Sequence, residues 1–271
     1  MRNKLLLAVL PLLGATAAGA AGQAPRTRAE IVAGPRDVRE VFLALPLPAP
    51  RPGADPLAGV RARLGTFEQR NAEVERALRG PSEAVVDTRN GYLRLFFPSD
   101  VDEAYGVDLV LTYFVQGNGD RLVVLHAEDF DESAGSTRGD WFWTLSGGRF
   151  TPRQARDVLP AVTYADFWGD HPLPRGIGPR FFLDLGAYSI EWPREGTTAT
   201  FHVFTSALPE DREEELRELF TARKFTEMEL VWDRRSGRFT KGAKVPYSGE
   251  EECEVDHELE IVAPPDARVV R

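Results

Sequence analysis

The fold is decided between residues 84 and 150, which include AVVDTRNGYLRLFFP (84–98), LVLTYFVQGNGDRLVVL (109–125) and WFWTLSGGRF (141–150). Runs of β-branched and aromatic residues are typical of strands. Between the runs lie Asn90-Gly91 and residues 117–120, whose Asn, Gly and Asp residues tolerate the backbone of tight turns. Apolar runs joined by short turns predict an antiparallel meander. Several runs are apolar on both faces, so we expect other elements to cover the sheet on each side.

Residues 1–20 have the pattern of an export signal. Arg2 and Lys4 precede an apolar segment at residues 5–13, and Ala18-Gly19-Ala20 fits a cleavage site for small residues. The apolar segment is shorter than the roughly 20 residues that a membrane-spanning helix needs. We therefore expect a soluble, exported protein of the periplasm or the extracellular space, with no membrane span.

The composition limits the partners and the means of stabilising the fold. The chain has 33 basic and 42 acidic residues and a net charge of −9, and loss of the signal would make it more acidic. An acidic surface repels phosphate backbones, so we expect no nucleic-acid partner. The single cysteine, Cys253, permits no internal disulfide, so the core must hold by packing.

We expect an α+β protein with twisted antiparallel sheets, flanking helices and two lobes. After the signal, residues 21–81 are predicted to form a helical segment with a Pro-rich link. Residues 82–163 form the first sheet lobe. An irregular connection at residues 164–178 leads to a second sheet-plus-helix lobe at residues 179–271.

Further signals predict individual helices. Apolar residues recur at helical spacing in residues 35–45 and 56–79. The run from Thr151 to Gln154 matches a capping box with proline at the first helical position. Residues 210–224 begin with acidic and end with basic side chains, which complements a helix dipole.

One short sequence occurs twice. Trp143 and Trp232 each precede Gly-Arg-Phe-Thr at the same offset, at residues 148–151 and 237–240. Two hairpins with the same turn chemistry would produce this pattern. The alternative is a duplicated sheet-plus-helix unit.

Carboxylates alternate with other side chains along residues 252–260. On a strand, alternate residues share a face, so all of these carboxylates would point to one side. We predict a solvated edge strand whose charges oppose aggregation. Lys241 and Lys244 are possible neutralising partners within the chain. The alternative is a surface for a basic partner or a cation site formed by Glu254, Asp256 and Glu258.

The candidate catalytic residues are scattered. His126 follows an apolar strand and precedes Asp129 and Asp131, and His171 lies in an acidic, aromatic segment. Each could act as a general base, but no nucleophile is placed beside them. The motifs of nucleophile elbows, zinc peptidases, P-loops and dinucleotide sites are absent. We therefore predict no cofactor and a non-catalytic binding or structural module, with a hydrolase acting on cell-wall sugar or peptide as the alternative.

Tyr164, Phe167 and Trp168 form an aromatic group in the predicted connection. If exposed, their rings would bind an envelope protein, a peptide or a glycan by stacking and docking. The other interpretation, which we favour, is that these rings plug the sheet.

The chain resembles a family of exported bacterial proteins. The resemblance extends from residue 41 to residue 160 and consists of VFLALP (41–46), VDTRNGYL (86–93), LTYF (111–114), GDRLVV (119–124), GRF (148–150) and VLP (158–160). The family is uncharacterised, so the resemblance implies no activity. Its members often have cysteines in the strand after the hairpin, and this chain has none there, so no disulfide or metal role of such cysteines carries over.

Overall fold

The structure is a computed structural model that describes residues 26–50, 55–79, 84–99, 106–131, 135–173, 175, 177–184, 187–204 and 213–248. The predicted signal at residues 1–20 and the predicted acidic strand at residues 252–260 lie outside these residues. Lys241 and Lys244, the possible partners of that strand, both contact Asp166, with Lys241 Nζ 2.6 Å from Asp166 Oδ2 and Lys244 Nζ 2.6 Å from the Asp166 carbonyl oxygen.

The first sheet is the meander expected from the sequence. It has six strands in the order β1 to β6, each antiparallel to the next. The turn at Asn90-Gly91 is confirmed within the loop 88–91 that joins Asp87 to its partner Tyr92, and only its last residue, Gly91, has a positive φ, of 71°. The strands are β1 (Val85–Asp87), β2 (Tyr92–Pro98), β3 (Gly106–Val115), β4 (Arg121–Asp131), β5 (Gly135–Ser146) and β6 (Arg149–Arg153).

The second sheet has four antiparallel strands in the order β10-β9-β8-β7. Together the two sheets and their helices confirm the α+β fold with antiparallel sheets. These strands are β7 (Tyr188–Glu191), β8 (Thr198–Val203), β9 (Phe225–Asp233) and β10 (Arg238–Pro246). The helices are α1 (Arg28–Ala33), α2 (Val38–Ala44), α3 (Arg61–Leu64), α4 (Phe67–Arg79), α5 (Ala155–Val158), α6 (Tyr164–Trp168), α7 (Phe181–Asp184) and α8 (Glu213–Thr221).

The two sheets pack face to face around a shared core. Phe114 of β3 lies 4.9 Å from Phe239 of β10 and 5.5 Å from Trp232 of β9, measured between ring centroids. Trp232 Nε1 also donates a hydrogen bond to the Val115 carbonyl at 3.1 Å. Side chains from α6, α7 and α8 complete this core.

Helices cover the other face of the first sheet. Val41 and Phe42 of α2 and Val74 of α4 form a second buried cluster with Leu93 and Leu109. Alternate residues of each strand therefore face two different cores, which explains strands that are apolar on both sides. Among the described residues, none of the helices reaches the length and hydrophobicity that crossing a bilayer requires.

The helix predicted at residues 56–79 is interrupted, so that prediction was wrong in its extent. The break follows α3, where the Thr66 backbone N–H donates to Gln69 Oε1 at 2.8 Å and the Gln69 N–H donates to Thr66 Oγ1 at 3.2 Å. This reciprocal capping pair starts α4 as a new helix.

Two other local predictions were wrong. Thr151 and Pro152 belong to β6, where they pair with Thr144 and Trp143, and α5 begins only at Ala155. Proline is tolerated there because β6 is an edge strand of the sheet. The connection at residues 164–178 is also not irregular throughout, since it begins with α6, which a capping box of Thr163 and Asp166 initiates.

The repeated Gly-Arg-Phe-Thr sequences occupy hairpins of different register. Phe150 pairs with Leu145, whereas Phe239 pairs with Trp232 itself. The glycines share only a positive φ, of 81° at Gly148 and 66° at Gly237. A Cβ at Gly148 would lie 2.1 Å from the Ala33 carbonyl oxygen, so this glycine also permits the approach of α1. The two segments therefore share turn chemistry without occupying equivalent positions.

Candidate functional site

Charged side chains lie at one end of the first sheet, on the face that packs against the second sheet. The strand register places Asp108, Glu128 and Arg138 side by side, and His126 beside Asp140. Alternate residues of a strand share a face, and these even-numbered residues therefore lie on the same face as Val124 and Phe142, which belong to the shared core. We call this group the inter-sheet polar cluster, and it comprises Arg94, Asp108, His126, Glu128, Arg138 and Asp140.

Asp140 links the two sheets. Its Oδ1 lies 3.0 Å from His126 Nδ1 on β4 and accepts a hydrogen bond of 2.8 Å from Trp192 Nε1, just after β7. His126 is only 8% exposed. The Asp140 side chain is 18% exposed, and a carboxylate this far removed from water needs such donors to offset its desolvation.

Neighbouring carboxylates raise the pKa of His126 above its ordinary value. Burial alone would lower the pKa of this ring, because it disfavours the charged form. The hydrogen bond with Asp140 and the negative charges of Asp140 and Glu128 outweigh that effect. The proton-bearing form of His126 is therefore favoured.

Arg138 makes a second link between the sheets. Its Nε forms an ion pair with Glu128, and its Nη1 donates to the Tyr188 carbonyl of β7 at 3.0 Å. The guanidinium carbon also lies 4.7 Å from the centroid of the Phe204 ring, within the range of a cation–π contact.

A cavity of about 830 Å³ lies between the two sheets beside this cluster. His126, Arg138 and Asp140 line one end of it. Residues 155–156, 159–163, 183 and 188–190 also line it. Its volume falls within the range of small-molecule sites, about 300–1,000 Å³.

Arginines at the edge of the cavity define what we call the rim arginines, namely Arg156, Arg180 and Arg238. All three are exposed and line the cavity. Arg238 Nη2 donates to the Arg156 carbonyl at 3.1 Å, which brings these two residues together. Within the part of the chain that the structure describes, none of the rim arginines forms an ion pair with a carboxylate.

The structure does not assemble the predicted catalytic residues into one site. His126 lines the cavity, whereas Asp129 lies on the other face of β4, the one that Ala127 directs toward the helix-covered core. Asp131 is the last residue of β4, and its side chain lies outside the described part. His171 does not line the cavity, and its Nδ1 lies 3.0 Å from the Tyr164 hydroxyl.

The aromatic group predicted as a ligand platform lies in the core instead. Tyr164 is 6% exposed, and Phe167 and Trp168 are fully buried. Trp168 stacks on Tyr164 at 4.8 Å and donates from Nε1 to the Leu219 carbonyl at 2.6 Å. The rings are therefore not exposed for a ligand, and they plug the core as the favoured interpretation expects, because α6 turns this face toward α8 and the second sheet.

No described residues form a group of three or more His, Cys, Asp or Glu side chains suited to a metal ion. The cation-site candidates Glu254, Asp256 and Glu258 lie outside the described residues. Sequence reasoning missed Arg138, Asp140 and the rim arginines. The alternation of His126 and Glu128 along β4 was the available signal, but its partners on β5 depend on the register of the hairpin.

The raised pKa of His126 has a consequence for stability. The protonated ring of His126 adds to the free energy of unfolding. This addition is complete below the ordinary histidine pKa of about 6.5 and is lost as the pH rises through the raised pKa. We expect the free energy of unfolding to fall over that range, and His126→Gln to remove this part of the fall. Urea denaturation at pH values on both sides of about 6.5 measures it.

A second variant makes that test specific. Asp140→Asn keeps the ring of His126 but removes the charge that favours its protonation, so it should also flatten the profile. An unchanged pH profile in both variants would contradict the assignment.

Comparisons with known proteins assign no family to the chain. No protein-family model matches it. No curated protein matches it either. Among solved structures, it is similar to a domain of an uncharacterized protein from Porphyromonas gingivalis W83, with 15% sequence identity and a TM-score of 0.49 over 76% of this chain and 98% of that chain.

Proposed function

We propose that this protein is an exported, non-catalytic binding module of the bacterial cell envelope that holds a small anionic ligand in the inter-sheet cavity. The observation that carries the proposal is the set of rim arginines, which have no described carboxylate partner. The signal pattern at residues 1–20 and the resemblance to exported bacterial proteins support the location.

The charge distribution favours an anion. The whole chain has a net charge of −9, yet arginines outnumber carboxylates along this cavity. Guanidinium groups bind carboxylates and phosphates through paired, directional hydrogen bonds. A cleft lined by positive charges also raises the local concentration of anions, even on a protein whose net charge is negative. The rim arginines therefore provide both attraction and orientation.

The alternative is a hydrolase acting on cell-wall sugar or peptide, and the His126–Asp140 pair on the cavity favours it. Of the hydroxyl residues that line the cavity, however, Thr163 and Ser189 are engaged elsewhere. Thr163 Oγ1 donates to Asp166 Oδ2 at 2.9 Å, and Ser189 pairs with His202 on the face opposite Ile190.

The test is retention of an anion from an envelope extract. The purified protein is incubated with the small-molecule fraction, separated by gel filtration and denatured, and released compounds are identified by mass spectrometry. We expect a retained anion, and a loss of roughly tenfold or more with Arg180→Glu, because charge reversal replaces attraction by repulsion at the rim.

Arg149→Glu is the matched control, because it makes the same change of net charge at an exposed residue that does not line the cavity. It should retain the compound as the unmodified protein does. Equal loss in the two variants, or retention of neutral compounds only, would contradict an anion site at the rim. Conversion of the compound during incubation would favour the hydrolase.

A further inference from the structure

The walls of the inter-sheet cavity differ in character from its rim. Phe142, Phe201 and Leu230 line the cavity but are at most 3% exposed, so the accessible apolar surface comes from half-buried residues such as Leu159. Leu183 and Val162 form half-buried parts of its sides. A purely polar anion would leave these apolar surfaces against water, whereas an apolar body would cover them.

The polar groups at the inner end have partners within the protein. Arg138 has Glu128 and the Tyr188 carbonyl, and Asp140 has Trp192 and His126. The rim arginines have no described carboxylate. A ligand charge is therefore needed at the rim and not at the inner end, and this defines the orientation of the ligand.

We infer that the ligand is an amphiphilic anion, an apolar acyl body with a carboxylate, bound with the carboxylate at the rim arginines and the acyl body between the sheets. This inference rests on the proposed function and specifies the class of compound. The cavity volume of about 830 Å³ leaves room for a body of drug-like size.

The test compares decanoate with probes that lack one of its two features. Acetate has the carboxylate without the chain, and decyltrimethylammonium has the chain with the opposite charge. Isothermal titration calorimetry is performed below the micelle concentrations of the long-chain probes. We expect decanoate to bind at least roughly tenfold more tightly than either, because burial of a few methylene groups already provides that factor.

Two variants locate each feature of the ligand. Arg180→Glu should weaken decanoate binding by roughly tenfold or more, with Arg149→Glu unchanged. Leu183→Gln should weaken decanoate but leave acetate unaffected, since it changes only the apolar wall. Thermal melts without ligand establish that each variant is folded, and Leu183→Ala replaces Leu183→Gln if the latter is not.

The outcomes separate this inference from the proposed function. If acetate binds as tightly as decanoate, with the same dependence on Arg180, the acyl body is refuted and the anion site stands. If decyltrimethylammonium binds equally well, the binding is non-specific and the inference is overturned. If no probe binds, the inference is also overturned, and the extract experiment alone decides the proposed function.

Discussion

Replacement of Trp168 by alanine should lower the free energy of unfolding by about 3–5 kcal/mol, because it removes a large buried side chain and leaves a cavity. Trp168 is fully buried, and its ring centroid lies 5.5 Å from those of both Phe181 and Phe220. Its indole N–H also satisfies the Leu219 carbonyl at the end of α8. Since domains are typically stable by about 5–15 kcal/mol, this is a large fraction of the total. Urea denaturation measures the loss.

Trp168→Phe is the matched control for that substitution. It keeps an aromatic ring in the core but removes the N–H that pairs with Leu219, so its cost should be clearly smaller. A near-normal stability of Trp168→Ala, combined with loss of a retained ligand, would mean that the ring binds a partner instead of supporting the core.

The second large effect is expected at Arg138. Arg138→Met should cost about 3 kcal/mol or more, because it leaves the Glu128 carboxylate without its main partner in a mostly buried position. The Glu128 side chain is only 15% exposed, and that of Arg138 is 24% exposed. The substitution also removes the hydrogen bond to the Tyr188 carbonyl, which links β5 of the first sheet to β7 of the second. Chemical denaturation of the purified variant measures the cost.

A double-mutant cycle separates the ion pair from the packing of the arginine stem. Glu128→Leu combined with Arg138→Met removes both charges, so the double variant should recover a substantial part of the loss seen with Arg138→Met alone. If the loss of stability in the double variant equals the sum of the two single losses, Glu128 and Arg138 are not coupled, which would contradict a stabilising ion pair between them.

Local sequence was sufficient for the sheet and insufficient for several helix boundaries. The turn at Asn90-Gly91 was predictable, because it depends on the backbone freedom of those two residues. The run from Thr151 to Gln154 carried a valid helix-start pattern, but pairing with β5 extended the strand through Pro152. Tertiary pairing overrides local preference wherever a neighbouring strand supplies hydrogen bonds.

The candidate site was predictable only in one residue. His126 was singled out by its residue type, while its partner Asp140 lies 14 positions later on the next strand. Which residue faces His126 depends on the register of the hairpin, and a shift by one residue would move Asp140 to the opposite face. The aromatic residues of α6 carried no local mark of burial, since their surroundings come from α8 and the second sheet.

The amino-acid sequence by itself determined the antiparallel meander, the α+β class and the covering of the first sheet on both faces. Turn preferences and side-chain alternation act over a few neighbouring residues, so they can be read directly from the chain. Only the tertiary structure decided that Trp168 is a core residue and that three distant arginines meet at one cavity. Those results depend on how two sheets pack against each other, which brings together residues that no local pattern connects.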